Sequence, residues 1–167
     1  MKEHIKQQLV TSTIRINSRD VYNTKNINGL ILHKLKSKIE NSCGKYGYVL
    51  KDSTKLIKRS YGKTVMTNRN SDIEYDITYT MDVIYPSKGD IYDCTIEDIT
   101  KMGIIGYFKN SDESNIKDSP IIIIIPREYI ISKDISEFSK GQKTKVEIID
   151  IRIKYRSNQI QSVGKIE

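Results

Sequence analysis

Along the first part of the chain, Val10, Ile14 and Ile16 fall on even positions among Thr and Arg, the two-residue period of a strand that buries one face. A polar connection, Asn17 to Asn26, follows. Ile27, Leu30, Ile31, Leu35 and Ile39 then recur at helical spacing with lysines opposite, which predicts one amphipathic helix ending near Ser42, its N-cap oxygen supplied by Thr24 or Asn26. Gly44 and Gly47 mark the exit, and Tyr46, Tyr48, Val49 and Leu50 suit a half-buried pleated surface, so a second strand starts there. The clearest alternation runs from Ile73 to Tyr85, where every odd position is apolar or aromatic and the even ones are mostly Asp, Glu or Thr.

Pro86, Ser87, Lys88 and Gly89 end that alternation, and a domain boundary is expected there, dividing residues 1–86 from residues 87–167. Beyond it the pattern is a series of short strands without a helix: Ile91 to Ile99, Gly103 to Phe108, Ile121 to Ile125, Lys143 to Ile153 and Gln159 to Ile166. Five short strands suit a small closed barrel of the oligonucleotide-binding type, because closure removes exposed strand edges. The expected class is α+β: a strand-helix-strands unit followed by an OB-fold β-barrel.

Composition adds a partner class. The 167 residues carry a net charge of +7 and a pI near 9.2, with cations spread along the whole length among carboxylates, which favours a basic face over a basic arm and a phosphate-rich partner. The two cysteines, Cys43 and Cys94, lack the spacing of a redox pair or metal clip, and a reducing, intracellular compartment is expected. Met1 to Val10 lacks an apolar segment, and the longest apolar run, Ile121 to Ile125, is too short to span a bilayer, so no membrane partner is expected.

Catalytic signals are weak. His4 and His33 are the only histidines and form no zinc pattern with the cysteines. Gly62-Lys63-Thr64 looks like the end of a phosphate-binding loop, but Ile57 stands where its first glycine belongs. Asp72, Glu74 and Asp76 share the polar face of one strand, where solvated acids are ordinary. Gly44-Lys45-Tyr46-Gly47 matches the GxxG clamp of KH domains, yet leads from a helix into a strand instead of joining two helices, and reads as a turn. No catalytic residue, metal or cofactor is expected.

In order, the segment Ser42-Cys43-Gly44-Lys45-Tyr46-Gly47-Tyr48-Val49-Leu50, the strand ending Val83-Ile84-Tyr85-Pro86, then Lys88-Gly89-Asp90-Ile91, Met102-Gly103, Ile121 to Tyr129 and the closing Ser162-Val163-Gly164-Lys165-Ile166 form a series. That series resembles the larger stalk subunit of archaeal and eukaryotic multi-subunit DNA-directed RNA polymerases. The resemblance implies a non-catalytic subunit whose N-terminal tip domain docks at the base of the polymerase clamp. Its C-terminal barrel, of S1 type, would meet nascent single-stranded RNA during initiation and elongation.

By resemblance, the tip loops correspond to Asn17–Asn26 and to the basic connection Arg59–Asn70, and the expected contacts with core polymerase are Arg19, Lys25, Lys45, Tyr46, Arg59, Lys63 and Arg69. The barrel departs from the S1 pattern: Ile104 and Ile105 replace an aromatic, and a histidine near the third strand has no counterpart. Tyr92, Tyr107 and Phe108 are the alternative stacking platforms, with Lys101, Arg127, Lys154 and Arg156 tracking phosphates. The short connection Ile131–Lys140 and the ending soon after Gly164 suggest that a small helical stalk partner is absent or weakly held, as in the reduced enzyme of a large cytoplasmic DNA virus. The site of action would then be host cytoplasm or virion, and the nucleus for a cellular eukaryotic protein. The alternative is a free S1-type RNA-binding protein acting in translation regulation, which leaves the first domain without a role.

Overall fold

Alternating apolar positions dominate the chain, and its computed structural model, which describes residues 4–67, 69–109, 115–131 and 134–166, is mostly β with few helices. In chain order the elements are β1 (Ile5–Asn17), α1 (Ser18–Asn23), α2 (Ile27–Ile39), β2 (Cys43–Gly44), β3 (Gly47–Val49), β4 (Lys55–Arg59), β5 (Lys63–Met66) and β6 (Ser71–Ile84). There follow β7 (Ile91–Thr100), β8 (Gly103–Phe108), β9 (Ile121–Pro126), single 3-10 turns at Arg127–Tyr129 and Ile135–Glu137, β10 (Lys143–Arg152) and β11 (Ile160–Lys165). Two compact units result. A sheet unit comprises residues 6–40 and 49–83; a barrel unit takes the segment ending at Ile5, Asn41–Tyr48, and the chain from Ile84 onward.

In the sheet unit β6 is the shared strand, beside β1 and antiparallel to β4 and β5. Its alternation sends Tyr75, Ile77, Tyr79, Met81 and Val83 inward, where they meet Ile14 and Ile16 of β1, Val49, and Ile31 and Leu35 of α2. Each such side chain removed from water contributes ~1.5–3 kcal/mol. On the polar face, Arg15 pairs with Glu74 at 2.6 Å.

Local chemistry explains the departures from the sequence pattern. The connection Asn17–Asn26 contains α1, capped by the Asn17 side chain accepting from the Arg19 N–H at 3.0 Å; its six residues carry no apolar periodicity to announce it. Asn26 caps α2, its Oδ1 accepting the Gly29 N–H at 2.9 Å, while Thr24 Oγ1 accepts from the Asn26 N–H. Arg59–Asn70, expected as a loop, contains β5, and β4 precedes it; β4 is rich in lysine and arginine, the composition that guards exposed strand edges, and β5 is only four mostly exposed residues long, so neither shows a clear alternation.

In the barrel unit the strands close in the order β7-β8-β9-β11-β10 and back to β7, every pair antiparallel except β9 with β11. This five-stranded closed barrel is OB-like. Tyr92, Cys94, Ile96, Ile104, Ile121, Ile123, Ile125, Val146, Ile148 and Ile160 are buried in it. Two glycines permit the closure: a Cβ on Gly106 would strike Cys94 Sγ, and one on Gly164 would strike Val146. The β2–β3 hairpin belongs to the same unit, and Gly47 turns it with φ +118, where a Cβ would collide with the Ile84 carbonyl.

Candidate interaction surfaces

Strand direction sorts the barrel's loops into two ends. Gly103 pairs with Pro126, so the β7–β8 turn carrying Lys101 and the segment beginning at Arg127 share one end, where the Arg127 N–H donates to the Met102 carbonyl at 3.1 Å. The β10–β11 loop lies at the other end, beside the β8–β9 connection: Gln159 Nε2 donates to the Ser119 carbonyl at 3.1 Å and to that of Ile116. Ser119, fully buried, ties the connection down by donating to the Phe108 carbonyl at 2.6 Å. Lys101 and Arg127 therefore cannot share one short ligand track with Lys154 and Arg156.

The second end is the more elaborate. Lys154–Ser157 forms a turn closed by the Ser157 N–H on the Lys154 carbonyl at 3.0 Å, with Arg156 at φ +63. A non-glycine residue there costs on the order of 1 kcal/mol. The turn is held by a two-way backbone pair with β2: the Cys43 N–H donates to the Ser157 carbonyl and the Arg156 N–H to the Cys43 carbonyl, both at 2.8 Å. The β2–β3 hairpin thereby joins Lys45 and Tyr46 to Lys154, Tyr155 and Arg156, with exposed Lys117 on the adjoining β8–β9 connection.

None of Lys45, Lys117, Lys154 and Arg156 has a carboxylate partner among the described residues. Tyr155 is 73% exposed and Tyr46 37%, and each has a cation 5.6 Å from its ring centre, Arg156 and Lys45 respectively. Beneath them burial pushes the Cys43 thiol up to about 11; burial, then Cys43 and Asp118, raise the Tyr48 hydroxyl. Such a surface can hold phosphates through its cations and stack bases on its tyrosines.

The expected stacking platforms are corrected. Tyr92, Tyr107 and Phe108 are buried at 1%, 8% and 4% exposure, so no ring face is open to a base. His4 stacks on Tyr92 with centroids 4.0 Å apart, and Phe108 meets the same ring edge-on at 5.2 Å. Aromatic rings suit either face of a strand; closure of the barrel turned Tyr92 and Phe108 inward, and Tyr107, on the opposite face of β8 from Phe108, is covered as well. Tyr155 was missed, although a Lys-Tyr-Arg run between two strands was a legible signal.

In the sheet unit, Arg19 and Arg69 come to one end: Ser18 and Ser71 hydroxyls lie 2.6 Å apart, and the β5–β6 turn carrying Arg69 closes through the Thr67 N–H on the Asn70 carbonyl at 2.9 Å. Lys63, exposed on β5, stands opposite Glu74. Tyr22 and Met66, 89% and 78% exposed, add apolar area on α1 and β5 that cation-counting overlooked. Arg59 lies elsewhere, with Lys25 near the start of α2, its Nε donating to Asn28 Oδ1 at 2.7 Å. The seven expected polymerase contacts thus do not form one surface, Lys45 and Tyr46 being on the barrel unit.

Among the described residues no group of three or more His, Cys, Asp and Glu is placed to hold a metal, and no helix is long and apolar enough to cross a membrane. No protein-family model and no curated protein matches the chain. Among solved structures, the uncharacterized protein MJ1198 from Methanocaldococcus jannaschii is similar over 50% of this chain and 96% of that one, with 17% identity and a TM-score of 0.37.

Proposed function

We propose that this chain is a non-catalytic stalk subunit of a multi-subunit DNA-directed RNA polymerase. In this reading the sheet unit is the tip domain that docks on the core enzyme, through the end bearing Arg19, Tyr22, Met66 and Arg69, and the barrel is an S1-type module that contacts nascent RNA. The observation that carries it is the backbone junction of Cys43 with Arg156 and Ser157. It joins the Gly-Lys-Tyr-Gly-Tyr segment, one of the series that carries the resemblance, to a cationic, tyrosine-bearing loop of an OB-like barrel. RNA would be held by phosphate contacts from Lys45, Lys117, Lys154 and Arg156 and by stacking on Tyr155.

Four phosphate contacts on a single strand predict that affinity falls roughly with the third power of salt, about fiftyfold between 50 and 200 mM. Anisotropy of a fluorescein-labelled twelve-residue oligouridylate with the full chain measures this. The pair Lys154→Glu and Arg156→Glu should weaken binding at least tenfold, and Lys101→Glu with Arg127→Glu, at the other end, should do much less. A flat salt response would reject the RNA role. Gentle purification of the tagged chain should recover large polymerase subunits in near-equal amounts, and Lys63→Glu with Arg69→Glu should reduce that recovery. Ribosomal or initiation proteins in their place would favour a free RNA-binding protein.

A further inference from the structure

The sheet unit contains a second built feature, and it needs no polymerase. β4 pairs with β6 along one edge; among the described strands nothing pairs with its other edge. Along β4 runs a groove of about 460 Å³ lined by Asn26, Asn28, Gly29 and Leu32 from the start of α2 and by Thr54 to Arg59. That lining includes Lys55, Lys58 and Arg59 and no carboxylate.

Arg59 is held in place without being neutralised. Its Nε donates to Asn28 Oδ1 at 2.7 Å, its Nη1 to the Ser60 carbonyl at 3.0 Å, and its guanidinium lies 5.6 Å from the centre of the Tyr75 ring, all uncharged partners. Lys55 and Lys58 are exposed and have no ion-pair partner among the described residues. The N-terminus of α2, with its positive end of the helix dipole, adds to the same potential. Thr54 Oγ1, on a residue 2% exposed, has no hydrogen-bond partner among the described residues. Leu32, Leu56 and Ile57, the last 59% exposed, supply apolar walls.

We infer that this groove takes an extended acidic peptide segment of a protein partner, added as a strand on the free edge of β4. Backbone pairing supplies affinity in this mode and side-chain pockets supply selectivity. Lysines on an edge strand also discourage unwanted pairing, but that role accounts for neither the groove nor the anchored, uncompensated Arg59. Nucleic acid fits less well, because no aromatic side chain lines the groove for a base to stack on.

The test uses the full chain and a labelled ten-residue peptide alternating glutamate with valine. Binding is read by anisotropy, and backbone amide exchange is read by NMR. The peptide should bind at least tenfold more tightly than its lysine–valine counterpart and slow exchange of amides within Lys55–Arg59. Methylating every second peptide amide keeps the charge and removes strand pairing, and should abolish binding. Lys55→Glu with Lys58→Glu, both exposed, should cost at least tenfold without altering the thermal melt. Equal binding of the lysine peptide or of the methylated peptide, unchanged exchange in β4, or displacement by the oligouridylate would overturn the inference. The stalk reading is untouched by any of these, since it is tested by co-purification and by the barrel's RNA affinity.

Discussion

The two units handle strand edges in opposite ways. The barrel closes β7 to β11 on themselves, so its backbone donors and acceptors are spent internally and only loops and side chains remain for partners. In the sheet unit, β1 and β4 each pair with β6 alone among the described strands, which leaves backbone available along their outer edges. Closed architecture therefore suits recognition of a flexible polyanion by charge and stacking at a loop end, and open architecture suits recognition of another chain by its backbone.

The largest effect that would test this contrast is on the barrel core. Ile123→Ala, at a fully buried position of β9, should cost about 2–5 kcal/mol in urea denaturation. The sheet unit's amide exchange should respond far less, and equal loosening of both units would break the comparison.

A second handle is alkaline pH. Burial pushes the Cys94 thiol up to about 12, so the neutral form is the one the fold favours. That stabilisation is fully present below the ordinary thiol value near 9 and drains as pH rises from there to about 12, by on the order of a few kcal/mol. Thermal melts from pH 8 to 12 should fall steeply, and Cys94→Ala should flatten the decline. A melt whose alkaline slope is the same in the variant would refute the assignment.

The smallest effect sharpens the loop end. Arg156→Gly removes a positive-φ penalty and a cation together, so the protein should gain up to about 1 kcal/mol while oligouridylate affinity drops severalfold. Gain of stability with unchanged affinity would mean that Arg156 serves the turn alone.

Periodicity reached much of this architecture because it is the direct imprint of burial. The odd residues of β6, the apolar stripe of α2 and the five barrel strands are legible for that reason. β4, β5 and α1 were not, since short, mostly exposed edge strands and a single polar helical turn bury too little to leave a pattern.

The candidate site divides along the same physical line. The chain itself determined which residue types were at hand: cations dispersed through the barrel, a Lys-Tyr-Arg run between strands, glycines where a turn or a close approach forbids a Cβ. Only the tertiary structure decided which of them act together. Backbone hydrogen bonds between Cys43 and the Arg156–Ser157 turn join segments far apart in sequence, and such bonds carry no side-chain signature. Barrel closure likewise turned Tyr92 and Phe108 inward, because a strand's pattern shows that its two faces differ, while the packing of its neighbours settles which face becomes the core.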